Sequence, residues 1–443
     1  MAYTYPGDRS PDREELMELI FWGATEDVTG SLTFVRLPAG TIAVDAGLYQ
    51  GSADTEKLND LGLPIPPAEL AAVILTHAHL DHSGLLSRLV AKGFQGPVFC
   101  TQPTAHLAKI ILEDSAGLDE GSTEADVGKV LKLLRPVDWH QSVPLAGGSF
   151  QLFPAGHILG ASSVKLQANG KSVVFSGDLG REDDPLIPGP APCPAVDAVV
   201  MESTYGGKRR NGDLEKELYT FLTKISRENR VGIVASFAVA RGQLLLTLIN
   251  EFFRRHPQEK IRVVFDSPMM AAANAVYQRF SHLTKRPAAV KESLAAAEGI
   301  GFERQWEGLR RKEGPLLVVS SSGMLSGGRI LRHLANWQDD RRAVLFLPGY
   351  QAVGTPGREL QSGGRSFEGN GQRIEWQGDV ESSEAFSSHA DQGELLAWTR
   401  ELEPGTRIFL IHGEAASKES LARELGARGH RVMLPFRAQT VTL

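Results

Sequence analysis

The chain has 443 residues, 42% of them hydrophobic and 23% charged, with a formal net charge of −6. That balance belongs to a folded protein with material for two domains, and it excludes one that coats nucleic acid non-specifically while leaving room for a local basic groove. No signal-peptide stretch lies in Met1–Leu16, runs such as Val231–Ala240 are too short to span a bilayer, and the two cysteines, Cys100 and Cys193, form no CxxC; a reduced, cytoplasmic protein with no membrane partner is expected.

From Ile20 to Tyr205 the pattern is short strands, Gly-rich turns and a few helices, as in a layered α/β domain. Thr41–Val44 reads as a strand ending on Asp45. Ala71–Thr76 reads as a buried strand and Ser83–Val90 as the opening of an amphipathic helix. Between them stands the densest chemical signal of the chain, His77-Ala78-His79-Leu80-Asp81-His82, in a chain with only 12 His. In an extended backbone residues two apart point the same way, so His77 and His79 can reach one cation while Asp81 and His82, further round the turn, reach a second. Imidazole and carboxylate without thiolate suit a catalytic zinc, manganese or iron. The alternative, a solvated polar turn with helix-capping Asp and Ser, is the weaker reading of so dense a cluster.

Further along, Phe150–Phe153 is strand-like and precedes His157, and Ser172–Phe175 precedes Asp178. Like Asp45, each of these polar residues sits at a strand end beside or near glycine, where the chain can turn tightly. Five prolines within Pro185–Pro194 form a stiff connector. Past Gly207 the rhythm changes. Helical patterns at 213–228, 241–255 and 327–337 alternate with strand-like Val231–Ala235, Ile261–Phe265, Leu316–Val319 and Ala343–Leu347, which implies a mostly parallel sheet. Strand patterns return at 407–411 and 430–434, near His389 and His412. The second unit is therefore expected to be inserted into the first: residues 1–207 and 383–443 form one domain and 208–382 the insert.

Asp45, the HxHxDH segment, His157, Asp178 and a late histidine, in this order, resemble the motifs of the metallo-β-lactamase superfamily. Gly23–Ser31, Val44–Gly51, Met201–Gly206, Ser387–Gln392 and Ile411–Glu414 are similar to the β-CASP branch, which contains RNA-processing and DNA-repair nucleases. Within it, Ser236–Gln243, Ser321–Arg329 and Gly349–Thr355 resemble the subgroup around the nuclease subunit of the pre-mRNA 3′-end cleavage complex and its bacterial and archaeal relatives. The resemblance implies an α/β fold, a metallo-β-lactamase αββα sandwich carrying an inserted β-CASP α/β domain. It implies two divalent metal ions, zinc first with manganese or iron as alternatives. His77, His79 and His157 would hold one; Asp81, His82 and His412 would hold the other; Asp178 would bridge them. Asp45 would orient the cluster from behind, and His389, paired with Glu202, would serve the leaving oxygen while Asp81 completes the catalytic set.

Phosphate contacts are expected from Ser321, Ser322 and Gly323 after a strand, from Arg329 at a helix start, and from Arg241; Arg358 is a further groove candidate. Arg254-Arg255, Arg310-Arg311-Lys312 and Arg341-Arg342 read as solvated ends, and the histidines at 106, 140, 256, 282, 333 and 430 stand in no motif. The expected activity is metal-dependent hydrolysis of phosphodiester bonds in single-stranded RNA by an activated hydroxide, in RNA processing or degradation; a homodimer is compatible with it. A repair-type DNA nuclease, a non-catalytic RNA-binding subunit and a small-molecule hydrolase are the alternatives.

Overall fold

A computed structural model describes residues 17–116, 121–299, 314–352, 354–369 and 371–443. The N-terminal extension and Arg310-Arg311-Lys312 lie outside them. In chain order, β1 (Glu18–Phe21), β2 (Thr33–Leu37), β3 (Gly40–Val44), β4 (Leu70–Ile74), β5 (Val98–Cys100) and β6 (Leu134–Pro136) form one sheet. A second begins with β7 (Val143–Leu145), β8 (Gly148–Pro154), β9 (Ser162–Ala168), β10 (Lys171–Phe175) and β11 (Ala198–Glu202). The proline-rich connector, between β10 and β11, is neither helix nor strand over 185–196.

These strands exist because their apolar residues alternate between two faces. Phe21, Val35, Ile42, Val44 and Ile74 of the first sheet meet Phe150, Leu152, Val164, Val173, Phe175 and Val200 of the second in one buried layer. The opposite faces, through residues such as Ala43, Val73, Val174 and Val199, join the core formed with the outer helices. Helix, sheet, sheet and helix thus stack in four layers, the two sheets sharing the layer that no helix enters.

After Glu202 the second sheet is interrupted. The chain builds β12 (Val231–Ala235), β13 (Arg262–Asp266), β14 (Leu316–Ser320), β15 (Ala343–Pro348), a small hairpin of β16 (Ser366–Gly369) and β17 (Gln372–Glu375), and β18 (Asp379–Ser383). Strands β13, β14, β12, β15 and β18 lie side by side in that order, all parallel. One face packs Val231, Ile233 and Val318 on Ile330, Leu334 and Trp337; the other joins Val234, Val319 and Phe346 with helices Leu214–Arg227 and Arg241–Arg255. The chain then resumes the interrupted sheet with β19 (Arg407–Ile411), parallel to β11, and β20 (Arg431–Met433), and β21 (Thr440–Thr442) closes on β1. Among the described residues no helix is long and apolar enough to cross a membrane.

One local expectation changes. The helix expected over Ser83–Val90 is split: Leu80–Ser83 forms a single turn already containing Asp81 and His82, and Leu86–Ala91 follows. The single turn is fixed by bonds from His82 and Ser83 amides to the His79 carbonyl, at 3.0 and 2.9 Å.

Candidate metal centre

Every segment that the sequence singled out for metal arrives at one end of the two sheets. His77 and His79 leave β4 in extended backbone, and Asp81 and His82 lie on the turn after it. His157 follows β8, Asp178 follows β10, and His412 follows β19. The loops must come very close. A Cβ on Gly180 would stand 1.8 Å from the Gly156 carbonyl oxygen, so only glycine lets the His157 and Asp178 loops touch. Asp45 and His412 hold φ of 59° and 52°, a left-handed conformation that Asp and His tolerate better than most residues.

His79 Nδ1 lies 3.1 Å from His77 Nε2 and 3.2 Å from His157 Nε2. Asp178 Oδ2 faces the same group, 3.5 Å from His77 Nε2 and 3.6 Å from His157 Nε2. The other carboxylate oxygen turns the opposite way: Oδ1 lies 3.2 Å from His82 Nε2 and 3.7 Å from His412 Nδ1. His412 Nε2 in turn lies 3.3 Å from His82 Nε2 and 3.4 Å from Asp81 Oδ2. Within His77, His79, His157 and Asp178, and likewise within Asp81, His82 and His412, one ligand atom per residue gathers inside a 4.8 Å span.

The donors fit a cation better than they fit one another. Three imidazole nitrogens converging on one point cannot all be satisfied by shared protons. Their separations approach the edge of a tetrahedral shell with metal–nitrogen bonds of about 2.0–2.1 Å, an edge of roughly 3.3–3.4 Å. Asp178 Oδ1 is buried without a hydrogen bond although His82 Nε2 is 3.2 Å away. Burial holds His77 and His157 well below the ordinary imidazole value and His79 at about 4, so the three rings are neutral, the form that binds metal. Burial also opposes charge on His82, yet the carboxylates of Asp178, Asp45 and Asp81 outweigh it and hold its proton; a bound cation would meet the same field.

Support comes from behind the ligands. Asp45 accepts from the Thr76 amide at 2.7 Å and the Thr76 hydroxyl at 2.9 Å, and faces His82 Nδ1 at 2.8 Å, which fixes that ring with Nε2 inward. Sequence reasoning found Asp45 and missed its partners. Thr76 also lies 3.1 Å from His77 Nδ1, Ser31 Oγ lies 3.3 Å from His82 Nε2, and Thr204 Oγ1 lies 3.1 Å from His412 Nδ1. Position was the only available signal: Thr76 is the last residue before the cluster and Thr204 follows Ser203 in the Glu202 segment.

His389 arrives from the loop after β18 and is held by a bridge to Gly180 and by the Ala390 amide on the Leu179 carbonyl at 2.7 Å. Its Nδ1 lies 3.2 Å from Glu202 Oε1 and its Nε2 3.9 Å from Asp178 Oδ2. Glu202, fully buried at the end of β11, also accepts from the amides of Leu179 at 2.7 Å and Thr204 at 3.2 Å. Burial presses the His389 proton off, but Glu202 and Asp178 prevail and lift its pKa to about 9.

The expected phosphate residues form a separate network on the insert. Arg329 Nη1 pairs with Asp266 Oδ1 at 2.7 Å, the Ile330 amide donates to the Ser321 carbonyl at 2.9 Å, and Ser321 Oγ bonds Ser267 Oγ at 2.9 Å. Among the described residues no hydrogen bond or ion pair joins Ser321, Ser322, Gly323 or Arg329 to the histidine–aspartate cluster. Arg358 is exposed, and its guanidinium bonds nearby Gln361. Arg241 differs: it is buried with Nε and Nη1 unpartnered.

Comparison with known proteins agrees with this architecture. Residues 26–228 match the metallo-beta-lactamase superfamily, 242–360 a Beta-Casp domain, and 373–435 a Zn-dependent metallo-hydrolase RNA specificity domain. A protein named as a ribonuclease from Thermus thermophilus is 32% identical over 431 residues, covering 94% of this chain and 98% of that one. The chain belongs to the β-CASP branch of the metallo-β-lactamase superfamily. An RNase J-like protein of Methanocaldococcus jannaschii is 27% identical, covering 91% of this chain and 94% of that one; Integrator complex subunit 11 of Gallus gallus is 29% identical, covering 95% and 73%. A solved structure of a protein of unknown function from Enterococcus faecalis shares the fold, with a TM-score of 0.57 at 14% identity over 97% of this chain and all of that one. The four-layer sandwich is the metallo-β-lactamase fold and the parallel sheet its β-CASP unit, as the motifs implied. A divalent metal site is part of that family identity.

Proposed function

We propose that this chain is a metal-dependent ribonuclease that hydrolyses phosphodiester bonds of single-stranded RNA. Its family, an RNA specificity domain and relatives named as ribonucleases support the substrate class. The observation that carries the reading is the division of Asp178, with Oδ2 toward His77 and His157 and Oδ1 toward His82 and His412. One carboxylate facing two donor sets is what two divalent ions sharing a bridging ligand require. His77, His79 and His157 would hold one, and Asp81, His82 and His412 the other. The imidazole-rich set favours zinc, with manganese or iron as alternatives. Ions bound there would supply Lewis acidity, sharpening a water as nucleophile and screening the phosphate's growing charge.

The chain's own residues do the rest. Asp45 and Thr76 hold the His82 ring in register. His389, with Nδ1 on Glu202, keeps a proton on Nε2 at the open side of the cluster, where it can pass to the departing oxygen. Glu202 acts through His389 and is a positioning residue. We take 208–382 as the inserted unit, so that RNA lies in the cleft between it and the sandwich; a cytoplasmic location and a homodimer are compatible with this reading. All ligand positions are filled, which speaks against a non-catalytic binding subunit.

The test is incubation of the metal-loaded protein with end-labelled single-stranded RNA carrying a 5′-monophosphate or 5′-triphosphate, beside matched DNA. RNA cleavage that disappears in Asp81→Ala and collapses in His389→Ala is expected. Cleavage confined to DNA, or full activity in both variants, would refute the proposal.

A further inference from the structure

Arg241 opens the helix Arg241–Arg255 directly after the β12 loop and is 8% exposed. Among the described residues its Nε and Nη1 are buried without a hydrogen-bond partner, and no carboxylate pairs with it. Burial draws its pKa down to about 10, and among the described residues the ionisable group acting on its charge is Tyr205. The guanidinium is nonetheless held in place. Its carbon lies 4.9 Å from the centre of the Phe237 ring, and a Cβ on Gly349 would stand 2.8 Å from both terminal nitrogens, so the group lies flat against bare backbone. A buried cation with no counter-charge is costly, and native proteins rarely leave one unless a ligand completes it.

A second unsatisfied donor lies within electrostatic reach of it. Tyr205 is 8% exposed, and its hydroxyl has no partner at hydrogen-bonding geometry, although Ser387 is close enough to polarise it. Its ring meets the His389 ring edge-on, with centroids 6.2 Å apart. Tyr205 therefore lies beside His389 and within electrostatic reach of Arg241. Position in the sheet agrees. The connections from β12 and β14 depart in opposite directions, toward β13 and toward β15, so the crevice beyond their carboxyl ends is the switch point at which parallel sheets take ligands.

We propose that Arg241 and Tyr205 form a subsite for one phosphate of the RNA strand next to the bond that is cut, with Phe237 as the surface for the base of that nucleotide. This rests on the ribonuclease reading. A guanidinium fork and a phenol match the oxygens of a phosphate, and Phe237, 37% exposed and packed beside Gly323, offers a face that any base can stack on. The subsite differs from the Ser321–Arg329 loop, whose arginine Asp266 already neutralises. The phosphate could be an internal diester or a 5′-terminal monophosphate, and the two are separable.

The test replaces single linkages of a short RNA by neutral methylphosphonate and varies the 5′ end between phosphate and hydroxyl, in wild type, Arg241→Gln, Arg241→Lys and Tyr205→Phe. Neutralising one particular linkage should lower wild-type kcat/KM by about 10–100-fold, the worth of one charge-assisted hydrogen bond. The same change should cost Arg241→Gln nothing further, and Tyr205→Phe should show a smaller loss coupled to the same linkage. Coupling to the terminal phosphate instead would identify the subsite as an end-binding one. For a readout apart from turnover, RNA binding by His389→Ala should lose about one unit of salt slope when Arg241→Gln is added. Should Arg241→Gln not fold, Arg241→Lys and Tyr205→Phe carry the same comparison. Losses that simply add at every linkage and with either terminus would overturn the subsite while leaving the ribonuclease standing. A wild type that cuts no RNA would remove the ribonuclease reading, and the subsite with it.

Discussion

The pairing of His389 with Glu202 yields the sharpest prediction. The bond from His389 Nδ1 to Glu202 Oε1 is 3.2 Å long in a buried setting, and the pair holds the imidazole proton up to a pKa of about 9. Glu202→Gln keeps an acceptor but removes the charge. A hydrogen bond to a charged group contributes about 1.5–3 kcal/mol, so its loss should lower the His389 pKa by about 1–2 units. The proton donor is needed protonated, so activity falls as pH rises through this pKa; in Glu202→Gln the alkaline limb should move down by that amount, leaving rates at pH 8 about 2–10-fold lower. His389→Ala should cost about 10²–10⁴-fold below that pKa and less above it, and the double variant no more than His389→Ala alone. Single-turnover cleavage with saturating metal measures this, and a substrate with sulfur as the leaving atom should restore much of the His389→Ala rate, because a thiolate departs without a proton. Glu202 also anchors the amides of Leu179 and Thr204. If Glu202→Gln slows His389→Ala by the full single-variant factor, Glu202 acts through that backbone and the reasoning is wrong.

Asp45→Asn should weaken metal retention by about 10–100-fold, because the amide cannot accept from both Thr76 and His82; unchanged metal content after dialysis would contradict this. Gly180→Ala would put a methyl 1.8 Å from the Gly156 carbonyl oxygen and push the His157 loop away, so elemental analysis should find about one ion fewer per chain with the fold kept by circular dichroism. Chelation should lower the melting temperature by on the order of 5–10 °C, restored by zinc, since ions at a thousandfold excess over their Kd add about 4 kcal/mol; a melt indifferent to chelator would remove the metal centre.

What could be read from the sequence was whatever depends on local spacing. His77, His79, Asp81 and His82 declare themselves because extended backbone followed by a turn sorts them two and two without help from the rest of the chain. Asp45, His157 and Asp178 could be found because strand ends are visible as apolar runs that stop. The hydroxyls of Ser31, Thr76 and Thr204 could not, because serine and threonine are common and their roles depend on which loop comes to rest beside them. Arg241 and Arg329 looked alike as phosphate ligands. They part company in the fold, where Asp266, 63 residues before Arg329, neutralises one, and no described residue bonds Nε or Nη1 of the other.

The point of insertion explains why a distant histidine belongs to the centre at all. Glu202 is the last residue of β11 and pairs in register with Ile411, directly before His412 on β19. Everything between leaves and returns at this one edge, so a histidine on the returning loop must pass close to Glu202. The Gly180 bridge and the Leu179 carbonyl catch that loop at residues 389 and 390, and Leu179 is also the residue whose amide holds Glu202. All seven prospective ligands are supplied by the sandwich, but His412 among them, like His389, reaches the centre only when the chain has come back from the insert. The last ligand, His412, and the Glu202-bound His389 are thus brought to the centre by the same return of the chain.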